Sequence, residues 1–327
     1  MESTRLLWSK GSCAIPWLAL AGVLAVAAFI NRIVDVDSLW LDAEALVPSG
    51  ALENRGDLVS VSKHLFVRLA WGIPAMGFAL VAIAALAIAA QVFWSCVKDL
   101  PARERLHTIA LSAGLLLLVL ALAIVGGDWV LSEPTVTSSL RKATMHKTAA
   151  THAVEVDTFF DYVACAIFGF LVSAASAILV SPRHSALSAA NLGRRIGQLR
   201  MLLYVGATAL VLRAIEMYSL YRWPGAWLQQ DMAALVDSIA LALSTAHGAF
   251  FSAVLLSLYV PTAFVLRARA RWLANHVVHG NAEERNAWLI KVGLGFSPFQ
   301  ELAGVLMMVT PLIAGGSVTK LIELLNG

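Results

Sequence analysis

Hydrophobic residues in this chain come in long unbroken runs, not at alternating positions. Five runs of twenty residues or more carry no Asp, Glu, Lys or Arg: residues 11–31, 69–97, 108–127, 162–182 and 238–266. A sixth run, 201–221, is as long but holds Arg213 and Glu216. A hydrocarbon core of roughly 30 Å is crossed by about 20 apolar residues in a helix. Strands of a membrane barrel are shorter and alternate, and neither property fits these runs. The pattern therefore predicts an all-α fold, a polytopic transmembrane helical bundle of six spans over residues 1–271, with a helical tail over 272–327.

The charges between the runs give an orientation. Segments 1–13, 98–107, 183–200 and 267–291 hold fourteen of the 24 Lys and Arg residues, including Arg194, Arg195, Arg267, Arg269 and Arg271. Short basic loops stay on the cytoplasmic side, so the N-terminus is expected there. Arg5 and Lys10 precede the first run in the manner of a signal n-region. No small-x-small cleavage site follows, so the run reads as an uncleaved first span. Trp71, Trp129, Trp223 and Trp227 fall at predicted outer boundaries and Trp94 and Trp272 at inner ones, the depth amphipathic rings prefer.

Three helical hairpins follow, with outer loops over about 32–68, 128–161 and 222–237. In the first loop, 37–47 has the pattern of a short helix anchored by Trp40. Segment 193–197, with Arg194 and Arg195, reads as a basic inner loop touching anionic lipid.

The tail is ambiguous in topology. Ser297, Pro298 and Gln300 fit a capping box, so a helix should begin there. Residues 302–319 carry no charge and are long enough for a seventh span. Thr310, Pro311, Gly315 and Gly316 are expected to break that helix early. A segment of such length is more often re-entrant, interfacial or packed against protein. The expectation is a cytoplasmic, membrane-adjacent helix, with the seventh span as the alternative.

Composition agrees with the runs: 59% of residues are hydrophobic, and the mean hydropathy is +0.75. The net charge is only +3, with no basic stripe interleaved with aromatics, so nucleic acid is not expected as a partner. Cys13, Cys96 and Cys165 lie in or beside apolar runs and read as packing residues. His276 and His279 have no third ligand nearby, so no metal is expected. No nucleotide-binding loop, nucleophile elbow or zinc-protease motif is present, so neither a cofactor nor an enzymatic reaction is expected.

Chemistry is sought instead in the polar residues of the spans. Arg213 and Glu216 are spaced i,i+3 and share a helix face. An ionisable residue inside a span costs roughly 2.5–3.5 kcal/mol on insertion scales and usually faces the bundle interior. His247 lies ten residues beyond Asp237 in the sixth span, ~15 Å in, close to the depth of Arg213. Arg213, Glu216 and His247 are thus a candidate intramembrane polar site. The plainer reading is a structural ion pair and a separately bonded histidine.

Two other constellations stand out. Asp128, Asp161 and Asp237 end or begin spans on the outer side and are candidates for an acidic vestibule, or simply solvated loop ends. Cys165, Gly169, Ser173 and Ala177 place a small residue at every fourth position of span four. Such a ridge lets another helix approach, within the bundle or in a homo-oligomer. Ala85 and Ala89 make a weaker version in the second span.

These features leave two functional classes. One is an ion or small-solute channel or transporter, with Glu216 as the binding carboxylate, Arg213 its tuning partner and His247 a relay. The other is a non-conducting signalling or assembly protein whose tail binds a cytoplasmic partner. In either case the lipid bilayer is the immediate surrounding. The Ala- and Leu-rich runs with compact loops suit a bacterial inner membrane.

Overall fold

The computed structural model describes residues 58–98, 100–132, 151–180, 188–227, 230–295 and 306–314, together with residues 16 and 304. All secondary structure among them is helical. In chain order the helices are α1 (Leu58–Val97), α2 (Ala102–Ser132), α3 (Thr151–Leu179), α4 (Ala189–Arg222), α5 (Gln230–Val277) and α6 (Ala282–Lys291). A 3-10 turn, Trp223–Trp227, joins α4 to α5, and residues 306–314 are again helical.

Among the described residues, four segments are long and apolar enough to cross a bilayer: Arg68–Val97, Glu155–Leu179, Ala189–Gly225 and Ala233–Val277. They coincide with the predicted spans over 69–97, 162–182, 201–221 and 238–266. The run 108–127 falls within α2, whose side chains are described only in part. Apart from Pro16, the predicted span over 11–31 lies outside the described residues, as do the short helix over 37–47 and the capping box at Ser297.

The outward faces of these helices are apolar. On α1, Leu69, Ile73, Met76, Leu80 and Ile83 point outward at alternating spacings of four and three. Ala75, Phe78, Ala82, Ala85 and Ala89 point inward. A continuous apolar exterior of this kind is avoided in water. Against lipid tails it costs nothing, and packing then depends on small residues that let helices approach closely.

The ridge on α3 is used in this way. Gly169 sits against Leu116 of α2, where a side chain would collide with the leucine. Ser173 donates to the Gly169 carbonyl at 2.7 Å, and Ala177 is fully buried. The Ala85 and Ala89 ridge of α1 is buried as well. α4 packs against α1, α3 and α5, and it carries the polar site.

Several predicted loops are helical. α3 begins at Thr151, so residues 151–161, expected as part of an outer loop, are helical. Residues 193–197 lie in α4, which starts at Ala189 with the Ser188 side chain accepting from the Asn191 amide at 3.2 Å. The helix dominates because its partner surface continues: Leu192, Ile196 and Leu199 are buried on one face. α5 likewise runs on through Arg267, Arg269 and Arg271 to Val277.

The arginines of that region act on α3. Arg195 donates to the Ile178 carbonyl, and to Val180 at 2.7 Å. Arg269, 1% exposed, donates to the Leu179 carbonyl at 2.8 Å. The last carbonyls of a helix have no intrahelical partner, and cations at that end also meet the negative pole of the helix dipole. Two residues that the sequence offers as loop charges are therefore the cap of a neighbouring helix. Nearby, Gln198 donates to Ser95 at 2.8 Å and fastens α4 to α1.

The helical residues 306–314 pass through Pro311 without a break. Their backbone lies on Gly248 of α5, and the Leu312 amide donates to Ser252 Oγ at 3.2 Å. Gly304 lies against Tyr259. Residues 306–314 thus run antiparallel to α5 alongside its apolar part, packed against protein.

Candidate functional site

Where α4 ends and α5 begins, four ionisable side chains meet inside the helices. Arg213 and Glu216 lie one turn apart on α4, both essentially without surface, and their side chains are in direct contact. α3 contributes Asp157 and Asp161, also one turn apart. Arg213 Nη2 stands 2.7 Å from Asp157 Oδ1 and 2.5 Å from Asp161 Oδ1. The same nitrogen donates to the Asp157 backbone carbonyl at 3.3 Å. From α1, the Trp71 indole donates to Glu216 Oε1 at 2.6 Å. Three helices thus converge on the Arg213–Glu216 pair.

Aromatic rings enclose this cluster. The Arg213 guanidinium carbon lies 5.9 Å from the Phe78 ring centre and 6.0 Å from that of Phe160. Those two rings meet edge-on at 5.0 Å. Trp71 packs against Trp223 with centroids 5.9 Å apart. A guanidinium between ring faces is attracted by their quadrupoles, more strongly where water is excluded.

Exposure divides the three carboxylates. Asp157 and Glu216 have no accessible side-chain surface, whereas Asp161 retains 42%. Asp161 is therefore the point at which the cluster meets its surroundings.

His247 stands apart from the ionic contacts. Its Nδ1 lies 2.8 Å from the Leu243 carbonyl. A carbonyl only accepts, so Nδ1 carries the proton and Nε2 is the exchangeable nitrogen. Its ring centre lies 6.4 Å from that of Tyr221 and 6.3 Å from that of Phe251. No hydrogen bond joins it to Arg213 or Glu216 among the described residues. Ser244, one turn away, donates to the Ala214 carbonyl at 3.0 Å and holds α5 against α4 beside the cluster.

The acidic residues considered for a vestibule are distributed otherwise. Asp161 belongs to the Arg213 cluster. Asp237 pairs with Arg222 at 2.8 Å, each about one-third exposed. The side chain of Asp128 lies outside the described residues. Cys165 sits one turn further into the bundle than Asp161, on the packing ridge.

Two members of the cluster were not singled out from sequence. Asp157 fell in a stretch that reads as loop, although its i,i+4 spacing to Asp161 is a helical signal. Trp71 carried the signature of an interfacial ring, and only the approach of α4 turns its N–H onto a carboxylate.

Comparison with protein-family models, curated proteins and solved structures gives no match. The class follows from the architecture: the described residues are helical, four of their helices are long and apolar enough to cross a membrane, as in an integral membrane protein, and a charged cluster lies among them.

Proposed function

We propose that the protein moves protons or a small monovalent cation through its membrane, and that the Asp157, Asp161, Arg213 and Glu216 cluster is the binding step. One observation carries this reading: a single guanidinium faces three carboxylates. Among these four side chains the carboxylates outnumber the guanidinium, and Asp157 and Glu216 are held away from water when ionised. The desolvation penalty for each such ion is several kcal/mol. Protons or a cation relieve it, so the cluster is a store for positive charge.

The graded exposure supplies an entrance. Positive charge arriving at Asp161 stands beside the guanidinium that Asp157 and Glu216 share. Arg213 keeps its own protons and tunes the three carboxylates, which are the groups that take up and pass on the proton. The carboxylates bracket a fixed positive charge, which repels a second cation held at the same point but not a proton bound covalently to a carboxylate oxygen. That favours the proton as cargo. His247 Nε2, in the neighbouring helix, is the next group able to take it up. The positive-inside distribution of Lys and Arg supports an arrangement in which Asp161 faces outward.

The test is flux in proteoliposomes under an imposed pH gradient or membrane potential. Wild-type protein is expected to carry protons, and Glu216→Gln to lose that flux while remaining monodisperse. Equal flux in both proteins would remove Glu216 from the path. No flux in the wild type across several cations and pH values would favour a non-conducting assembly role acting through the tail.

A further inference from the structure

At the opposite end of the bundle, α5 and α6 enclose a cavity of about 320 Å³. Its polar wall is Arg267, Arg271 and Asn286, and its apolar wall includes Leu289, Ile290 and Leu294. No carboxylate lines it among the described residues. Arg267 and Arg271 are spaced i,i+4, so both guanidinium stems rise from one face of α5.

The same face carries an apolar stripe. Leu256, Val260 and Phe264 follow one another at intervals of four, all exposed. Arg267 and Arg271 extend that stripe by three and then four residues. A single helix surface thus runs from lipid-facing apolar side chains into a cationic pocket. From Phe264 to Arg271 the rise is ~10 Å, the scale on which acyl chain gives way to headgroup.

We propose that this cavity is a binding site for an anionic phospholipid, with the phosphate at Arg267 and Arg271 and an acyl chain along Phe264, Val260 and Leu256. Planar guanidinium groups take phosphate oxygens in paired hydrogen bonds, and Asn286 offers a further donor. Basic pockets beside membrane helices hold acidic headgroups by this chemistry. The apolar stripe distinguishes a lipid from free phosphate, which would have no use for it. The site lies away from the charged cluster and does not depend on its role.

The test is native mass spectrometry of the full chain released from detergent, titrated with phosphatidylglycerol, with phosphatidylcholine of the same acyl chains, and with inorganic phosphate. Phosphatidylglycerol is expected to bind in preference to phosphatidylcholine by on the order of thirtyfold, the value for two arginines at a charged interface. The Arg267→Gln/Arg271→Gln double variant should abolish that preference, and Arg222→Gln, at the other end of the bundle, should leave it intact. Asn286→Asp places a carboxylate in an exposed position of the pocket and should weaken phosphatidylglycerol binding even if the double variant fails to fold. Equal binding of the two lipids, or a preference that survives both pocket variants, overturns the proposal. Saturable inorganic phosphate binding that displaces phosphatidylglycerol would identify a soluble anion site and overturn it equally.

Discussion

Asp157 on α3 stands 2.7 Å from the Arg213 guanidinium on α4, and neither side chain reaches the surface. This contact joins two helices whose partners are 56 residues apart in sequence. Removing one member of such a buried pair leaves the other uncompensated, at a cost of about 3–5 kcal/mol. Arg213→Met should therefore lower the thermal stability of the detergent-solubilised protein severely. Adding Asp157→Asn and Glu216→Gln to that variant should recover much of the loss. The melting midpoints of the single and triple variants provide the comparison.

The Arg222–Asp237 pair is the natural contrast. Both partners are about one-third exposed, and solvent screens their attraction. Surface pairs contribute about 0–1 kcal/mol. Asp237→Asn should move the melting midpoint little. A loss as large as that of Arg213→Met would show that burial does not separate the two pairs.

Trp71 holds the third side of the cluster through its hydrogen bond to Glu216. Trp71→Phe keeps an aromatic ring near Trp223 but removes the N–H donor. Hydrogen bonds to charged groups are worth about 1.5–3 kcal/mol, and a loss of that size is expected on denaturant titration. With Glu216 already changed to Gln, the same substitution should cost less, because the acceptor is no longer charged. A double-mutant cycle measures the difference.

Gly248 is required where the tail crosses α5. A Cβ there would meet the Pro311 carbonyl and the Leu312 backbone, neither of which can rotate aside. Gly248→Val should separate the two helices and cost about 1–3 kcal/mol. A disulfide between Ser252→Cys and Leu312→Cys, replacing residues already in hydrogen-bond contact, should form readily with Gly248 present. It should form poorly in the valine variant.

Arg269 and Arg195 provide a last expectation. Each cap leaves a buried carbonyl without its donor when removed, at about 1–3 kcal/mol. Arg269→Met should accelerate amide exchange in the last turn of α3, near Leu179, before it affects exchange at the Asp157 end. Uniform acceleration along α3 would indicate that the arginine supports the whole bundle instead.

The sequence by itself determined the class, because lipid imposes a length and an apolarity that any span must meet one residue at a time. Five runs became helices at nearly the expected positions for that reason. Arg213 and Glu216 were legible too, since a charge inside an apolar run is conspicuous and their i,i+3 spacing fixes a shared face. What surrounds them was decided only in three dimensions. Asp157 and Trp71 join through α3 and α1, and long-range approach leaves no periodicity to read. Helix ends were equally hidden: polar stretches at 151–156 and 188–200 look like loops, yet packing and capping carry the helices through them. Arg195 and Arg269 count alike in a charge tally with every other inner arginine. Only the position of α3 makes them donors to its final carbonyls, because a backbone acceptor has no signature in the side-chain sequence.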